Sequence, residues 1–204
     1  MSTWKGHPGG RVIYTHAGQD ATSVFSGFHS KEAWSHLEPY YIGDCVESLN
    51  RTDSPFERDV RALFPKMREA GVFVASPAWF VWKWLATTLI GLAGVAITLR
   101  GESFGAKMLG AVVLAVFWQQ CGWLAHDFAH HGVFRNRMLN DLMVLLVGGV
   151  YLGFSLDWWK NKHNTHHAIP NVHESVAEAH DGDPDIDTMP FLAWSKRLLA
   201  KVRG

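Results

Sequence analysis

Residues 78–99 form an almost unbroken apolar run, interrupted by a single charge at Lys83. A helix of these 22 residues, rising about 1.5 Å per residue, crosses a hydrocarbon core of roughly 30 Å. Lys83 lies near one end, where its stem can snorkel to the interface. After a polar turn around Arg100-Gly101-Glu102, residues 108–125 form a second apolar run that is marginal in length and carries Gln119 and Gln120. Trp79, Trp82 and Trp84 open the first run, while Phe117, Trp118 and Trp123 close the second. An antiparallel hairpin would place these aromatics at one membrane interface. Two buried helices of a soluble protein are the competing reading, but such core segments typically run about 10–14 residues.

The rest of the chain is more polar, and its composition excludes several classes. Lys and Arg number 19, as do Asp and Glu. With no block of like charge, a nucleic-acid partner is not expected. Cys45 and Cys121 are too far apart for a CxxC pair, which argues against a disulfide scaffold or thiolate metal site and fits a reducing, cytosol-facing environment. The stretch Met1-Ser2-Thr3-Trp4-Lys5-Gly6 has no apolar core of a cleavable signal.

Before the first run, Ser54-Pro55-Phe56-Glu57 reads as a capping box with proline at the first helical position. Val60, Leu63, Phe64 and Met67 follow at helical spacing, Gly71 is a stop, and Pro65 is expected to kink or shorten this amphipathic helix. Basic residues gather on both outer flanks of the two runs: Arg51, Arg58, Arg61, Lys66 and Arg68 before them, and Arg135, Arg137, Lys160 and Lys162 after them. The intervening turn has only Arg100 and Lys107, so both flanks are expected in the cytosol. A third apolar stretch, residues 142–156, is short for a span and contains Gly148 and Gly149. If it crossed the bilayer, the histidines before and after it would lie on opposite faces, so it reads as an interfacial or re-entrant helix. Residues 191–203 set Leu192, Leu198, Leu199 and Val202 against Lys196, Arg197, Lys201 and Arg203; they either lie on the membrane or open a further region.

Five of the 12 histidines fall in two tight clusters, His126-Asp127-Phe128-Ala129-His130 and His163-Asn164-Thr165-His166-His167. Helical spacing puts His126 and His130 on one face, and His163, His166 and His167 on another. Imidazole alone does not choose among iron, zinc and copper. An all-histidine set beside membrane sequence, without cysteine, favours a redox-active iron pair over structural zinc. Asp127, Asp157 and Asn164 are candidates to fix the ring tautomers. His131 lies about 100° around the helix from His130, and both ligation and hydrogen bonding remain open for it. The acidic run Asp181 to Asp187, flanked by His173 and His180, reads as a solvated or Lys-paired loop rather than a metal site.

The segment from Trp118 through His126-Asp127-Phe128-Ala129-His130-His131, then Trp158-Trp159-Lys160-Asn161-Lys162-His163-Asn164-Thr165-His166-His167, then Asp183-Pro184-Asp185-Ile186-Asp187-Thr188, resembles the front-end fatty acid desaturases. The similarity is to the delta-6 acyl desaturases of fungi and lower eukaryotes, in which a cytochrome b5-like domain is fused to a di-iron membrane desaturase. The resemblance implies an all-α membrane protein, a transmembrane hairpin with His-box helices, preceded by a partial cytochrome b5-like haem domain. It assigns residues 1–48 to the haem domain, 49–77 to an amphipathic linker and 78–204 to the N-terminal part of the desaturase domain. By resemblance, His126, His130, His163, His166 and His167 are catalytic ligands of a non-haem di-iron centre. His7-Pro8-Gly9-Gly10 with His29 resembles the bis-histidine haem b site of cytochrome b5, with Val12, Ile13, Val24, Phe25 and Phe28 around the porphyrin and Tyr40-Tyr41-Ile42-Gly43-Asp44 as a closing strand. The implied reaction inserts a cis double bond into an acyl lipid or acyl-CoA with dioxygen, using electrons from cytochrome b5 reductase. The implied location is the endoplasmic reticulum membrane, multi-pass, with His boxes and N-terminus cytosolic.

Two departures from the family shape the expectation. Six residues precede the His-Pro-Gly-Gly motif, so weak haem binding is expected of this form. The family's third box, Gln-x-x-His-His, does not follow the second within 204 residues, so the polypeptide is expected to be inactive alone. Delta-5 fatty acid and delta-8 sphingolipid desaturases share these boxes. The alternatives are a non-catalytic membrane-anchored isoform that associates with full-length desaturase, and a membrane-anchored haem electron carrier.

Overall fold

The computed structural model describes His7 and residues 10–44, 54–172 and 182–186. Cys45, Arg51, His173, His180, Asp187 and the amphipathic tail at 191–203 lie outside the described residues. Among those described, every regular element is helical: α1 (Thr22–Phe28), α2 (Lys31–Ser35), α3 (Pro55–Glu69), α4 (Pro77–Arg100), α5 (Phe104–Ala129), α6 (Arg137–Val144) and α7 (Leu156–Ala168). Two 3-10 turns, Gly10–His16 and Glu38–Tyr40, and a π-helical segment, Leu145–Leu152, complete the set. The chain divides into two compact units, one of Met1–Val46 with Asp157–Gly204, the other of Glu47–Leu156.

In the second unit α3 begins as its sequence dictates. The Ser54 hydroxyl accepts from the Glu57 amide, and the Glu57 carboxylate accepts from the Ser54 amide. Pro65 lies inside α3 without ending it. The helix ends at Gly71, whose φ of 70° lets Val72 N–H reach the Met67 carbonyl and Gly71 N–H the Arg68 carbonyl.

Helices α4 and α5 each start on a serine cap, Ser76 accepting from Trp79 N–H and Ser103 from Ala106 N–H. Both are long and apolar enough to cross a membrane. They pack as one antiparallel hairpin, because small residues let the backbones approach. A Cβ on Gly91 would come within 2.7 Å of the Phe117 ring, and one on Gly94 within 2.9 Å of Leu114. Gly110 faces Thr98 in the same way, and Phe80 meets Phe128 at 5.9 Å. The surface left over is apolar: Leu85, Leu89, Leu92, Leu109, Val112 and Val116 are all exposed. A patch of this kind suits lipid, not water.

That register refines the aromatic collar. Trp79, Trp82 and Trp123 are exposed near one end of the hairpin. Phe117 instead packs against Gly91 and the Tyr151 ring, about 18 Å along α4 from Trp79. It is interior packing rather than an interface anchor.

The third apolar stretch starts earlier than its hydropathy suggests. Asn136 caps α6 by accepting from Met138 N–H, and the chain stays helical through Leu152 in π form before Gly153 turns left-handed at φ 81°. The break follows from Gly153 and from Phe154, whose ring lies over Gly148 and whose N–H reaches the Gly148 carbonyl. Fully buried Asn140 ties the preceding loop down: its Oδ1 accepts from Phe134 N–H, and its Nδ2 donates to the Phe134 and Asn136 carbonyls. Cys121, Leu124, Phe128, Val144 and Val147 form the core, and the Tyr151 hydroxyl reaches the Thr88 hydroxyl at 3.3 Å.

In the first unit the expected closing strand at Tyr40-Tyr41-Ile42-Gly43-Asp44 is absent. Tyr40 ends a 3-10 turn, and residues 41–44 are irregular with Ile42 fully exposed. Local bonds take the place of a ladder, since Tyr41 N–H returns to the Glu38 carbonyl and Tyr41 Oη donates to Asp44.

Candidate metal centre

The last turn of α5 carries the first histidine pair. His126 lies within the helix and His130 is its C-cap, so the i, i+4 spacing brings the rings edge to face with centroids 4.5 Å apart. The helix is stopped by His131 in the left-handed region, at φ 55°. His131 N–H bonds the Phe128 carbonyl and Gly132 N–H the Asp127 carbonyl, a Schellman termination that usually recruits glycine. His131 Nε2 lies 2.8 Å from Asp141 Oδ1 on α6. On His126, Nδ1 lies 3.0 Å from Asp127 Oδ1; because a carboxylate only accepts, Nδ1 donates in that bond.

Helix α7 carries the second cluster. His163 and His167 bring their Nε2 atoms to 3.0 Å, and the His166 ring lies 5.5 and 5.3 Å from those of His163 and His167. Imidazole–metal bonds of about 2 Å give two nitrogens on one metal a separation of about 3 Å, so this pair fits a shared ion. Trp159 stacks on His163 at 4.3 Å and fixes its plane.

The decisive orienting group is Asp183, whose side chain is fully buried. Both its oxygens lie 3.0 Å from His166 Nδ1. Asn171 N–H and Asp185 N–H also donate to it, and the Asp183 amide bonds the Val172 carbonyl. Burial pushes the Asp183 carboxyl up, but the two backbone donors and His166, by hydrogen bond and charge, outweigh it and hold the pKa below the ordinary value. Asp185 stands 3.6 Å from His163 Nδ1. Asp127 thus takes the tautomer-fixing role expected of it, whereas Asp183 and Asp185 fill the places assigned to Asp157 and Asn164. The acidic run is therefore not simply a solvated loop. Its signal in the sequence was the alternation of Asp183 and Asp185 around Pro184, but nothing local ties that run to a helix end 15 residues earlier.

The N-terminal pair also comes together. The His7 and His29 ring centroids are 6.0 Å apart. With metal–nitrogen bonds of about 2 Å, rings this close are the residues that would hold a haem iron, which would supply one-electron chemistry. His29 Nδ1 donates to the Phe25 carbonyl at 3.0 Å while its ring stacks on Phe25 at 4.1 Å, leaving Nε2 for ligation. His7 Nδ1 is buried without a hydrogen-bond partner.

Comparison with known proteins matches residues 102–204 to the fatty acid desaturase family model. The chain belongs to the fatty acid desaturase family. Residues 1–46 of this desaturase relative match the cytochrome b5-like haem/steroid binding domain. It is 44% identical to the acyl-lipid (9-3)-desaturase of Physcomitrium patens over 97% of the chain and 37% of that protein. Identity to the delta(8)-fatty-acid desaturase of Euglena gracilis is 36% over 93% of the chain and 44% of the relative. For the delta(6)-fatty-acid desaturase fat-3 of Caenorhabditis elegans it is 34%, over 98% and 48%. The chain spans less than half the length of these curated relatives. No solved structure matches it significantly.

Proposed function

We propose that this chain is the haem-fused, His-box part of a front-end acyl desaturase acting on a delta-6-like position. The observation that carries the reading is the buried Asp183 carboxylate, which fixes His166 with Nε2 free beside the close His163–His167 pair. His126, His130, His163, His166 and His167 are the ligands this chain offers to non-haem iron. Bound iron would supply, with dioxygen as oxidant, the power to remove two hydrogens from adjacent unactivated acyl carbons. The chain's own task is to aim those imidazoles: Asp127 accepts from His126 Nδ1 and Asp183 from His166 Nδ1, so that on these two rings Nε2 is the atom that would face the metal. The hairpin of α4 and α5 keeps the first pair at the end of a membrane span, where an acyl chain is at hand. His7 and His29 would hold haem b, which supplies one-electron transfer from a reductase such as cytochrome b5 reductase. The basic flanks of the hairpin support a cytosolic face for both, as in an enzyme of the endoplasmic reticulum membrane.

Delta-6 specificity is distinguished from delta-5 and delta-8 by the product. Yeast fed linoleate would express the 204-residue chain, and separately a chimera joining it to the remainder of the Physcomitrium relative. The chain alone is expected to give no new fatty acid, because five histidines do not fill two iron shells. The chimera is expected to give gamma-linolenate, located by mass spectrometry of the double bond. A chimera that accumulates normally, binds iron and yields no desaturated product would defeat the enzymatic reading. A double bond at another carbon would defeat delta-6 alone.

A further inference from the structure

Helix α3 has no buried residue. Phe56, Val60, Leu63, Phe64 and Met67 nevertheless recur at helical spacing and share a face about 100° wide. Phe56 is 75% exposed, and Leu63 and Phe64 are each 51% exposed. The apolar surface does not stop with the helix. The turn at Gly71 folds the chain back so that Phe73 stacks on Phe64, with ring centroids 6.1 Å apart and planes 11° from parallel. Val72, Phe73 and Val74 are exposed in turn. Two residues later Ser76 caps α4, whose first turns expose Trp79 and Trp82. One apolar strip therefore leads from α3 to the aromatic mouth of a membrane span. Residues 70–76 reach at most about 24 Å when extended, so α3 is tethered close to that mouth. On the helix, Arg61 and Arg68 border one side of the apolar face, while on the other Asp59 lies at the edge with Lys66 just beyond it, and Glu57 is held in the capping box. Stems of this kind lie along apolar surface and carry their charge outward to phosphate.

We propose that α3 lies in the plane of the bilayer, with Phe56, Leu63, Phe64 and Phe73 among the upper acyl carbons and Arg61, Lys66 and Arg68 on glycerophospholipid phosphates. The occupant of this face is lipid because the strip continues into the spanning helix and is flanked along one side by Arg61 and Arg68. A surface-lying α3 fixes where the chain enters the membrane.

The test uses the full chain, with Cys45 and Cys121 replaced by alanine, in phosphatidylcholine nanodiscs. An environment-sensitive fluorophore is placed on Leu63→Cys or Phe64→Cys, and on Ala62→Cys on the opposite face. The labels at 63 and 64 are expected to be blue-shifted, quenched by nitroxides on the lipid chains, and several-fold less sensitive to aqueous iodide than the label at 62. Equal iodide quenching at 62, 63 and 64 would overturn the proposal. Protection from iodide without lipid-nitroxide quenching would overturn it as well, since protein would then cover the face. Two separate label sites keep one disruptive substitution from deciding the result.

Discussion

Asp183 and His166 are joined by a hydrogen bond of 3.0 Å in which the carboxylate is buried and the histidine is partly exposed. Every other hydrogen bond described for the Asp183 carboxylate comes from backbone, at Asn171 and Asp185. The carboxylate is thus held by the fold, and it in turn holds the ring. Asp183→Ala is expected to lower iron affinity by roughly 10- to 100-fold, the usual cost of losing such a partner. Asp183→Asn, which keeps an acceptor, should lose less. Metal content of detergent-purified protein after dialysis against graded chelator measures both.

The same carboxyl predicts a pH dependence with a definite sign. Its pKa is lowered in the fold, so its contribution is fully present above the unfolded value, about 3.9 for Asp, and is lost as pH falls through the lower folded value. Hydrogen-exchange protection of the Asn171 and Asp185 amides, corrected for intrinsic rates, should collapse below that range. In Asp183→Asn the acid-dependent step at these amides should vanish.

Haem ligation by His7 and His29 is checked by absorption spectroscopy. Protein reconstituted with haem b should show a low-spin bis-histidine spectrum, since the ring centroids are already 6.0 Å apart. His29→Ala should convert it to high spin. A spectrum unchanged by that substitution would show that the iron sits elsewhere.

The hairpin tolerates no side chain at Gly110, where an added Cβ would also lie 2.9 Å from the Thr98 amide nitrogen. Gly110→Leu is expected to destabilise α4–α5 packing by about 1–3 kcal/mol. Gly105→Leu, where nothing lies within 4 Å of the added Cβ, should be close to neutral. Unfolding in mixed detergent micelles, followed by tryptophan fluorescence, compares the two.

Asn140→Ala should leave the Phe134 amide, in the half-buried loop between α5 and α6, without its side-chain acceptor. The cost is roughly 1–3 kcal/mol. Limited proteolysis at residues 132–136 should accelerate before global unfolding does.

The apolar runs, the Ser54 capping box, the Gly71 stop and the helical spacing of five histidines were all legible from sequence, because each depends on residues within a few positions of one another. Hydrophobic periodicity and capping are local quantities, and so is the pairing of His126 with His130. The pairing of Asp183 with His166, of Asp141 with His131 and of Phe117 with Gly91 was not legible. Each joins positions 10 to 26 residues apart, and side-chain type alone does not say which carboxylate is buried and which faces water. The closing strand failed for the same reason, since a strand is defined by a partner that no local pattern supplies. Sequence thus determined the chemistry on offer, imidazoles beside membrane helices. Tertiary structure decided which ring nitrogen of His166 carries the proton, because that depends on where the distant Asp183 carboxylate comes to rest.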